Sequence, residues 1–349
     1  MDSEDLKEAV QKRLVWEDQK IRVPVRFAGA QIPICMDLPT NVETIKEAID
    51  YAVDVKADYL VTPEAALSGY LREFCDTPED QHHLMIAERQ VIEYASSKNI
   101  GLCLGTLWME SEDAGQLKRN QMRYYDKSGI FVGAYNKIQT IRNDNVVPGI
   151  FNEPMQGNKH HQGPVTDAGH YTARLSNSKG QFEVSTLICN DMYGEDLYGR
   201  TVARRALYAL KNRDNPIELV LHPTFGFRGY EVCDALIKPQ NDGMDPRADK
   251  VKAFFEAWHK AHLEVLSFST KSTFLIVDTC SNMQGEMSEH PTSSPSGVIE
   301  DGEWLTDVPR IGKQYFHYDF YLPGKNVQTT QNFDDLGSML ANNPKPLEQ

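Results

Sequence analysis

Basic residues are scarce in this sequence relative to acidic ones. The 349 residues include 36 Lys and Arg against 50 Asp and Glu, which gives a formal net charge of −14 and a sequence pI near 5.2. A protein that binds duplex nucleic acid or an anionic membrane surface needs a basic face that attracts phosphate groups. The charge balance therefore argues against nucleic acid and membranes as partners.

Long apolar runs are lacking as well. No run approaches the roughly 20 apolar residues that span a bilayer. The opening residues MDSEDLKEAVQKRL have neither the basic start nor the apolar stretch of a secretory signal. Hydrophobic residues make up 40% and charged residues 25%, which is the composition of an ordinary globular protein. We therefore expect no membrane segment.

Closely paired cysteines are also absent. The six cysteines are scattered and none forms a CxxC pair, which argues against a disulfide framework and against a zinc ribbon. This pattern favours a reducing, cytoplasmic setting. The histidine pairs at 82–83 and 160–161 have no partner ligands at metal-binding spacing, so we expect no metal and no other cofactor.

Predicted strands and helices alternate along the chain, which indicates an α/β fold with a largely covered sheet. No linker rich in Pro, Gly or Ser divides it, so we predict one domain over 24–320 and a helical extension over 1–23. The tail over 321–349 is predicted either to lie at a subunit interface or to stay mobile. The predicted strands are 26–31, 58–62, 100–108, 121–126, 130–135, 182–188, 217–221, 274–279 and 296–299. The predicted helices are 3–15, 44–55, 80–98, 197–211 and 250–270.

Three residues with chemically reactive side chains directly follow predicted strands. Glu64 follows strand 58–62, Lys137 follows strand 130–135, and Cys189 follows strand 182–188. Ligands in α/β sheets gather outside the carboxyl ends of the strands, so this carboxylate, ammonium and thiol are expected to meet at one edge. Each also has a plainer interpretation: a carboxylate that favours a helix start, a solvated strand-end charge and a buried packing thiol.

Together the three side chains form a coherent set for hydrolysis. A thiolate is a strong nucleophile, but a free thiol with a pKa of ~8.5 is mostly protonated at neutral pH. A carboxylate with a raised pKa would take the thiol proton and later activate water. An adjacent ammonium would stabilise the oxyanion of a tetrahedral intermediate.

The sequences around these residues resemble the motifs of the nitrilase, or carbon–nitrogen hydrolase, superfamily. Glu64 lies in a Pro-Glu…Gly-Tyr segment, Lys137 in Tyr-Asn-Lys and Cys189 in the elbow Ile-Cys-Asn-Asp. The resemblance runs from about residue 26 to 299. It implies an α-β-β-α sandwich that forms an eight-layer homodimer, with Glu64, Lys137 and Cys189 as the catalytic triad.

Two further segments are similar to carbamoyl-hydrolysing members of this superfamily. The segment FNE places Glu153 where a second glutamate holds the lysine and substrate, as in ureidopropionase-like enzymes. The elbow ICND is similar to that of D-amino-acid carbamoylases, which carry two arginines after it. Met192 and Tyr193 stand at those positions here, so an α-carboxylate substrate recognised in that way is not expected.

The resulting prediction is a thiol-dependent hydrolase that cleaves a non-peptide C–N bond of a small carbamoyl or amide compound. The backbone N–H of Asn190 would help Lys137 to hold the oxyanion. Tyr70, Tyr193 and Thr224 are pocket candidates by position, and His222 is either a substrate contact or a structural histidine. Asp191 is expected to accept hydrogen bonds within the elbow without taking part in chemistry. The alternatives are a true nitrilase that converts a nitrile to an acid, and a catalytically silent binding protein.

Overall fold

The computed structural model describes residues 21–69, 77–112, 115–138, 172–193, 217–225, 246–281 and 294–325, together with residues 207 and 292. Within these ranges the strands are β1 (Ile21–Gln31), β2 (Tyr59–Val61), β3 (Gly101–Glu112), β4 (Gly115–Tyr125), β5 (Phe131–Asn136), β6 (Thr172–Asn177), β7 (Gly180–Thr186), β8 (Leu219–Pro223), β9 (Thr273–Val277), β10 (Gly297–Glu300), β11 (Glu303–Asp307) and β12 (Gln314–Lys325). The helices are α1 (Leu38–Asp54), α2 (Pro78–Ser97), α3 (Asn190–Tyr193) and α4 (Pro246–Thr270).

One long strand joins two halves of the sheet. The strand order is β11-β10-β9-β8-β7-β12-β1-β2-β3-β4-β5, with β6 paired to β7. Strand β12 pairs antiparallel with β1 from Ile21↔Gly324 to Gln31↔Gln314, and its last residues pair with β7. We call β12 and β1–β5 the first half-sheet and β6–β11 the second half-sheet.

The two half-sheets pack face to face. Side chains on a strand alternate between its two faces, so every second residue of β1 points into the space between the half-sheets. On β1, Val23, Val25 and Phe27 face the second half-sheet, where the ring centroid of Phe182 lies 6.2 Å from that of Phe27. Burying one such aromatic ring contributes about 2 kcal/mol. The intervening residues of β1, Ala28 among them, face the other way toward α1 and α2.

Helices cover both outer faces. Helices α1 and α2 bury one apolar side each against the first half-sheet, and α4 buries Leu263 and Leu266 in the core of the second half. The layer order is therefore helix, sheet, sheet, helix. The predicted α/β fold, a four-layer α-β-β-α sandwich, is confirmed. None of the described helices is both long and apolar enough to cross a membrane.

The helix starts lie earlier than the sequence pattern predicted. Asp37 caps α1 by accepting a hydrogen bond from the backbone N–H of Thr40 at 3.0 Å. Thr77 and Asp80 form a reciprocal capping box at the start of α2. These polar residues stabilise the otherwise unpaired first N–H groups of each helix. The helices therefore begin at 38 and 78 rather than at 44 and 80.

Three strands were not predicted, namely β6, β11 and β12. Strands β1 and β12 also extend past the predicted domain limits, since β1 begins at Ile21 and β12 ends at Lys325. The division into extension, domain and tail stays a prediction. Three segments discussed above lie outside the described residues, apart from Leu207. They are the predicted helices over 3–15 and 197–211 and the segment 139–170.

Candidate active site

Glu64 lies in a tight turn that directly follows β2. The backbone N–H of Leu67 donates to the carbonyl of Gly105 on β3 at 3.0 Å, which fastens the turn to the neighbouring strand. Gly105 is required there, since a Cβ atom at this position would lie 2.0 Å from the carbonyl oxygen of Pro63. The turn also holds Ala65 at a positive φ of 56°. A non-glycine residue in this region stores roughly 1–2 kcal/mol of strain.

Lys137 forms a buried ion pair with Glu64. Its Nζ lies 2.7 Å from Glu64 Oε1, and the two side chains are 0% and 1% exposed. The backbone N–H of Lys137 donates to the carbonyl of Asn120 on β4 at 2.8 Å. The strand-end interpretation of Lys137 as a solvated charge is therefore ruled out by its burial.

Asn120 is a third member of this group, and sequence reasoning missed it. Its Nδ2 donates to Glu64 Oε1 at 2.7 Å, so this oxygen accepts from both Asn120 and Lys137. The other carboxylate oxygen, Oε2, is buried, and no donor in the described part of the chain reaches it. The sequence shows only four successive polar residues at 118–121 (KRNQ), and it is the structure that places them in β4 and buries all four.

Cys189 lies at a strained turn between β7 and α3. Its backbone φ is +44°, and the strain is held by hydrogen bonds on both sides of the residue. Its N–H donates to the carbonyl of Pro223 at 2.9 Å, and its carbonyl accepts from the N–H of Met192 at 3.0 Å. Left-handed backbone at a non-glycine residue clusters at functional sites, where the surrounding structure must enforce it.

Burial and the neighbouring charges raise the pKa of the Cys189 thiol. Desolvation is the largest cause, and the negative charges of Glu64 and Asp278 act in the same direction. The Lys137 ammonium and the backbone N–H of Phe225, which hydrogen-bonds the sulfur, lower the pKa. The resting thiol is therefore protonated, and forming the thiolate requires a base at the moment of attack.

His222 makes the structural contact that was one of its two predicted roles. It is fully buried, and its Nδ1 lies 2.7 Å from the carbonyl oxygen of Leu187, which accepts only from a protonated ring nitrogen. Burial lowers the pKa of His222 to about 4, so the ring is neutral at pH 7. The bond connects β8 to the residues that precede Cys189.

The remaining candidates are placed only in part. Thr224 follows β8 and is buried, and its Oγ1 has no hydrogen-bond partner within the described ranges. Asn190 opens α3 and is half-buried. Tyr70, Glu153 and the side chain of Tyr193 lie outside the described residues. No group of His, Cys, Asp and Glu side chains suited to a metal ion occurs in the described residues.

Asp191 makes more contacts than the local hydrogen bonds predicted for it. Its Oδ2 accepts from the N–H of Ile188 at 3.0 Å, as expected within an elbow. The same carboxylate also accepts from the hydroxyl of Tyr135 at 2.8 Å and from the N–H of Ile138 at 3.0 Å. Asp191 therefore connects the segment of Cys189 to the segment of Lys137.

Similar folds are found among amidases. A mutant of the amidase from Nesterenkonia sp. AN1, with acrylamide added at its active-site cysteine, aligns with a TM-score of 0.52 and 18% identity over 90% of this chain and 99% of that chain. An amidase from Nesterenkonia sp. aligns with a TM-score of 0.53 and 19% identity over 92% and 98%. A mutant of the AN1 amidase in complex with butyramide gives 0.53 and 18% over 90% and 96%.

Sequence comparison identifies the family. A search of curated proteins by sequence finds no match. The model of the carbon-nitrogen hydrolase family matches residues 26–205, which is just over half of the chain and includes Glu64, Lys137 and Cys189. The protein belongs to the carbon–nitrogen hydrolase family.

Proposed function

We propose that the protein is a cofactor-independent amidohydrolase that cleaves a small amide or carbamoyl compound through a thioester on Cys189. The observation that supports this most directly is the state of Glu64. Its Oε1 is occupied by Lys137 and Asn120, whereas its buried Oε2 has no donor among the described residues. An unpartnered carboxylate oxygen whose charge acts on a half-buried, protonated thiol is suited to accept the thiol proton.

In the acylation step, Glu64 takes the proton of Cys189 as the sulfur attacks the carbonyl carbon. The carbonyl oxygen becomes an oxyanion, which the Lys137 ammonium and the backbone N–H of Asn190 stabilise. The protonated Glu64 then gives its proton to the leaving nitrogen, and ammonia or an amine departs. The products are a Cys189 thioester and a free amine, with Glu64 again ionised.

In the deacylation step, Glu64 takes a proton from water as the water oxygen attacks the thioester. The second tetrahedral intermediate collapses, the acid leaves, and Cys189 recovers its proton from Glu64. Glu153 is assigned to hold Lys137 and the substrate, a role that rests on the family resemblance of its segment. Tyr70, Tyr193 and Thr224 are assigned to the substrate pocket.

An amide substrate has the broader support. The similar structures are amidases, one with acrylamide at its cysteine and one in complex with butyramide. The carbamoyl assignment rests on the FNE and ICND segments alone. Because Met192 stands where carbamoylases carry the first arginine of a pair, we assign the substrate to compounds without an α-carboxylate recognised at that position.

The assembly and location belong to the same proposal. The family resemblance supports a homodimer. The four cysteines in the described residues are free thiols, and a free, reactive Cys189 needs a reducing compartment such as the cytoplasm.

Intact-protein mass spectrometry on wild type and Cys189→Ala tests the proposal. Each protein is mixed with primary amides, N-carbamoyl amines, ureas and nitriles, quenched early, and digested to locate any adduct. We expect an acyl adduct on Cys189 in the wild type, none in the variant, and release of ammonia or an amine with the acid.

The outcomes separate the alternative functions. Turnover of nitriles alone would replace the proposal with a nitrilase. An inert Cys189, with neither turnover nor rapid reaction with iodoacetamide, would overturn it in favour of a binding protein.

A further inference from the structure

The distance between Lys137 and Cys189 is not set by the strand ladder of the sheet. Lys137 directly follows β5, the outermost strand of the first half-sheet, and Cys189 follows β7 in the second half-sheet. Five strands, β12, β1, β2, β3 and β4, lie between β5 and β7 in the strand order. The two residues therefore meet only because the half-sheets pack face to face.

Face-to-face packing alone is a weak way to fix a catalytic distance. Most contacts between the half-sheets are apolar and therefore non-directional. Hydrogen bonds of Tyr59 with Ser176 and of Tyr124 with Thr186 also join the half-sheets, but neither involves a residue next to Lys137. A displacement of about 1 Å in an active site costs on the order of 100-fold in rate. A site that spans the two half-sheets therefore needs directional bonds between them.

Asp191 supplies such bonds. Its side chain is fully buried and accepts from the N–H of Ile138, the hydroxyl of Tyr135 and the N–H of Ile188. Tyr135 and Ile138 stand on either side of Lys137, two residues before it and one residue after it. Ile188 immediately precedes Cys189. One carboxylate therefore holds the backbone next to the ammonium and the backbone next to the thiol.

Only an ionised carboxylate at this position satisfies all three donors. Each oxygen accepts, and hydrogen bonds to a charged acceptor are shorter and roughly twice as strong as those between neutral groups. An asparagine would turn an N–H toward at least one of the donors, because its amide has a single acceptor oxygen. The geometry at Asp191 is thus specific to aspartate.

We propose that Asp191 is a positioning residue that fixes Lys137 against Cys189 across the two half-sheets. It acts through Tyr135, Ile138 and Ile188 and does not touch the reacting atoms. This inference rests on the proposed function, in which Lys137 stabilises the thiolate and the oxyanion.

The test compares two variants of this group with two matched controls. Asp191→Asn replaces the carboxylate, and Tyr135→Phe removes a single bond to it. Glu88→Gln and Tyr125→Phe are the controls, since Glu88 is another buried carboxylate that accepts from a tyrosine hydroxyl, and it lies between α2 and β4 away from Cys189. The readouts are the rate of Cys189 alkylation by iodoacetamide against pH, kcat and KM on an amide, and Tm.

Displacing the Lys137 ammonium removes a charge that lowers the Cys189 pKa, while Glu64 and Asp278 still raise it. We therefore expect the alkylation profile of Asp191→Asn to move to higher pH and its kcat to fall about 10- to 100-fold. Tyr135→Phe should also shift the alkylation profile to higher pH and lower kcat, but by smaller amounts. The controls lower Tm but leave the profile in place.

The two possible failures are distinguishable. Unchanged alkylation profiles in both Asp191→Asn and Tyr135→Phe would overturn the positioning role, even with an active wild type. If Asp191→Asn does not fold, Tyr135→Phe alone decides by the same criterion. A shifted profile in a protein that turns over neither amides nor carbamoyl compounds would support the positioning role and refute the proposed function.

Discussion

Two buried carboxylate–cation pairs lie on the same half-sheet, and they differ in how their hydrogen bonds are used. Glu88 on α2 pairs with Arg123 on β4 at 2.6 Å, and its Oε1 also accepts from the hydroxyl of Tyr125. The guanidinium of Arg123 in turn lies 3.9 Å from the ring centroid of Trp108. This pair fastens α2 to β4, and Tyr125 and Trp108 contact it.

The Glu64–Lys137 pair is more deeply buried, and part of it is left open. The side chain of Glu64 is 1% exposed, compared with 10% for Glu88. Despite that burial, Oε2 of Glu64 has no donor within the described residues. An unsatisfied buried acceptor costs about 1–3 kcal/mol. The difference teaches that burial of an ion pair alone does not distinguish the two pairs, whereas the unused acceptor of Glu64 does.

The largest expected difference between the pairs is in activity. Glu64→Gln removes the proposed base of both chemical steps, so kcat should fall on the order of 10²- to 10⁴-fold. Glu88→Gln makes the same change in the structural pair and should leave kcat nearly unchanged. Steady-state kinetics on folded protein check this. An equal loss in the two variants would mean that the pairs are not functionally different.

Removing the cations should affect both pairs alike in stability. Lys137→Met leaves a buried, unpaired carboxylate and should lower the free energy of unfolding by about 3–5 kcal/mol. Arg123→Met should cost a similar amount, reduced by the partial exposure of Glu88. Denaturant unfolding measures both. A Lys137→Met variant as stable as the wild type would contradict this expected cost.

The stabilities of the two ion pairs can be compared only where His222 does not titrate, because its protonation also changes the stability of the protein. Its pKa is about 4 in the folded protein, compared with 6.5 for an unperturbed histidine. The unfolded chain therefore binds more protons between these values, so this contribution to stability is complete above pH 6.5 and is lost as the pH falls through about 4. This difference in pKa corresponds to roughly 3 kcal/mol in the free energy of unfolding.

Thermal unfolding of His222→Gln against pH tests this limit. The variant keeps a neutral donor for the carbonyl of Leu187 but cannot titrate, so its Tm should depend less on pH between 4 and 6.5. His317→Gln, at an exposed position on β12, is the control and should follow the wild type. Identical pH dependence in His222→Gln and wild type would contradict the assignment.

The smallest expected effect is that of Asn120. Asn120→Leu removes one of the two donors to Glu64 Oε1 while it keeps the volume, which should lower kcat about tenfold, as expected for a net loss of about 1–2 kcal/mol. Gln121→Leu is the matched control, since the adjacent Gln121 donates to Asn136 instead. An Asn120→Leu enzyme as active as Gln121→Leu would show that Lys137 alone orients Glu64.

Sequence reasoning found what depends on local order. Glu64, Lys137 and Cys189 each follow a strand, so their place at the strand ends could be predicted without the fold. Asn120 could not be found in this way, because its contact with Glu64 joins residues 56 positions apart. The wider role of Asp191 was missed for the same reason, since Ile138 is 53 positions away.

The missed strands have a different explanation. In β12, Phe316, Phe320 and Leu322 alternate with exposed residues, which is the pattern of a half-buried strand, but the polar composition of the chain end concealed it. Strand β11 lies at the edge of the sheet and buries no residue fully, so its sequence carries little apolar signal.

The pairing of β1 with β12 has a consequence for how the protein is made. Ile21 pairs with Gly324 and Gln31 with Gln314, so the eleven residues of β1 form hydrogen bonds with residues about 300 positions later in the chain. During synthesis, β2 is available to one side of β1 early, while the other side stays open until the ribosome has released residue 325. An open edge of that length invites pairing with another nascent chain. We therefore expect truncation before residue 314, which removes β12, to leave this edge of β1 unpaired and prone to aggregation.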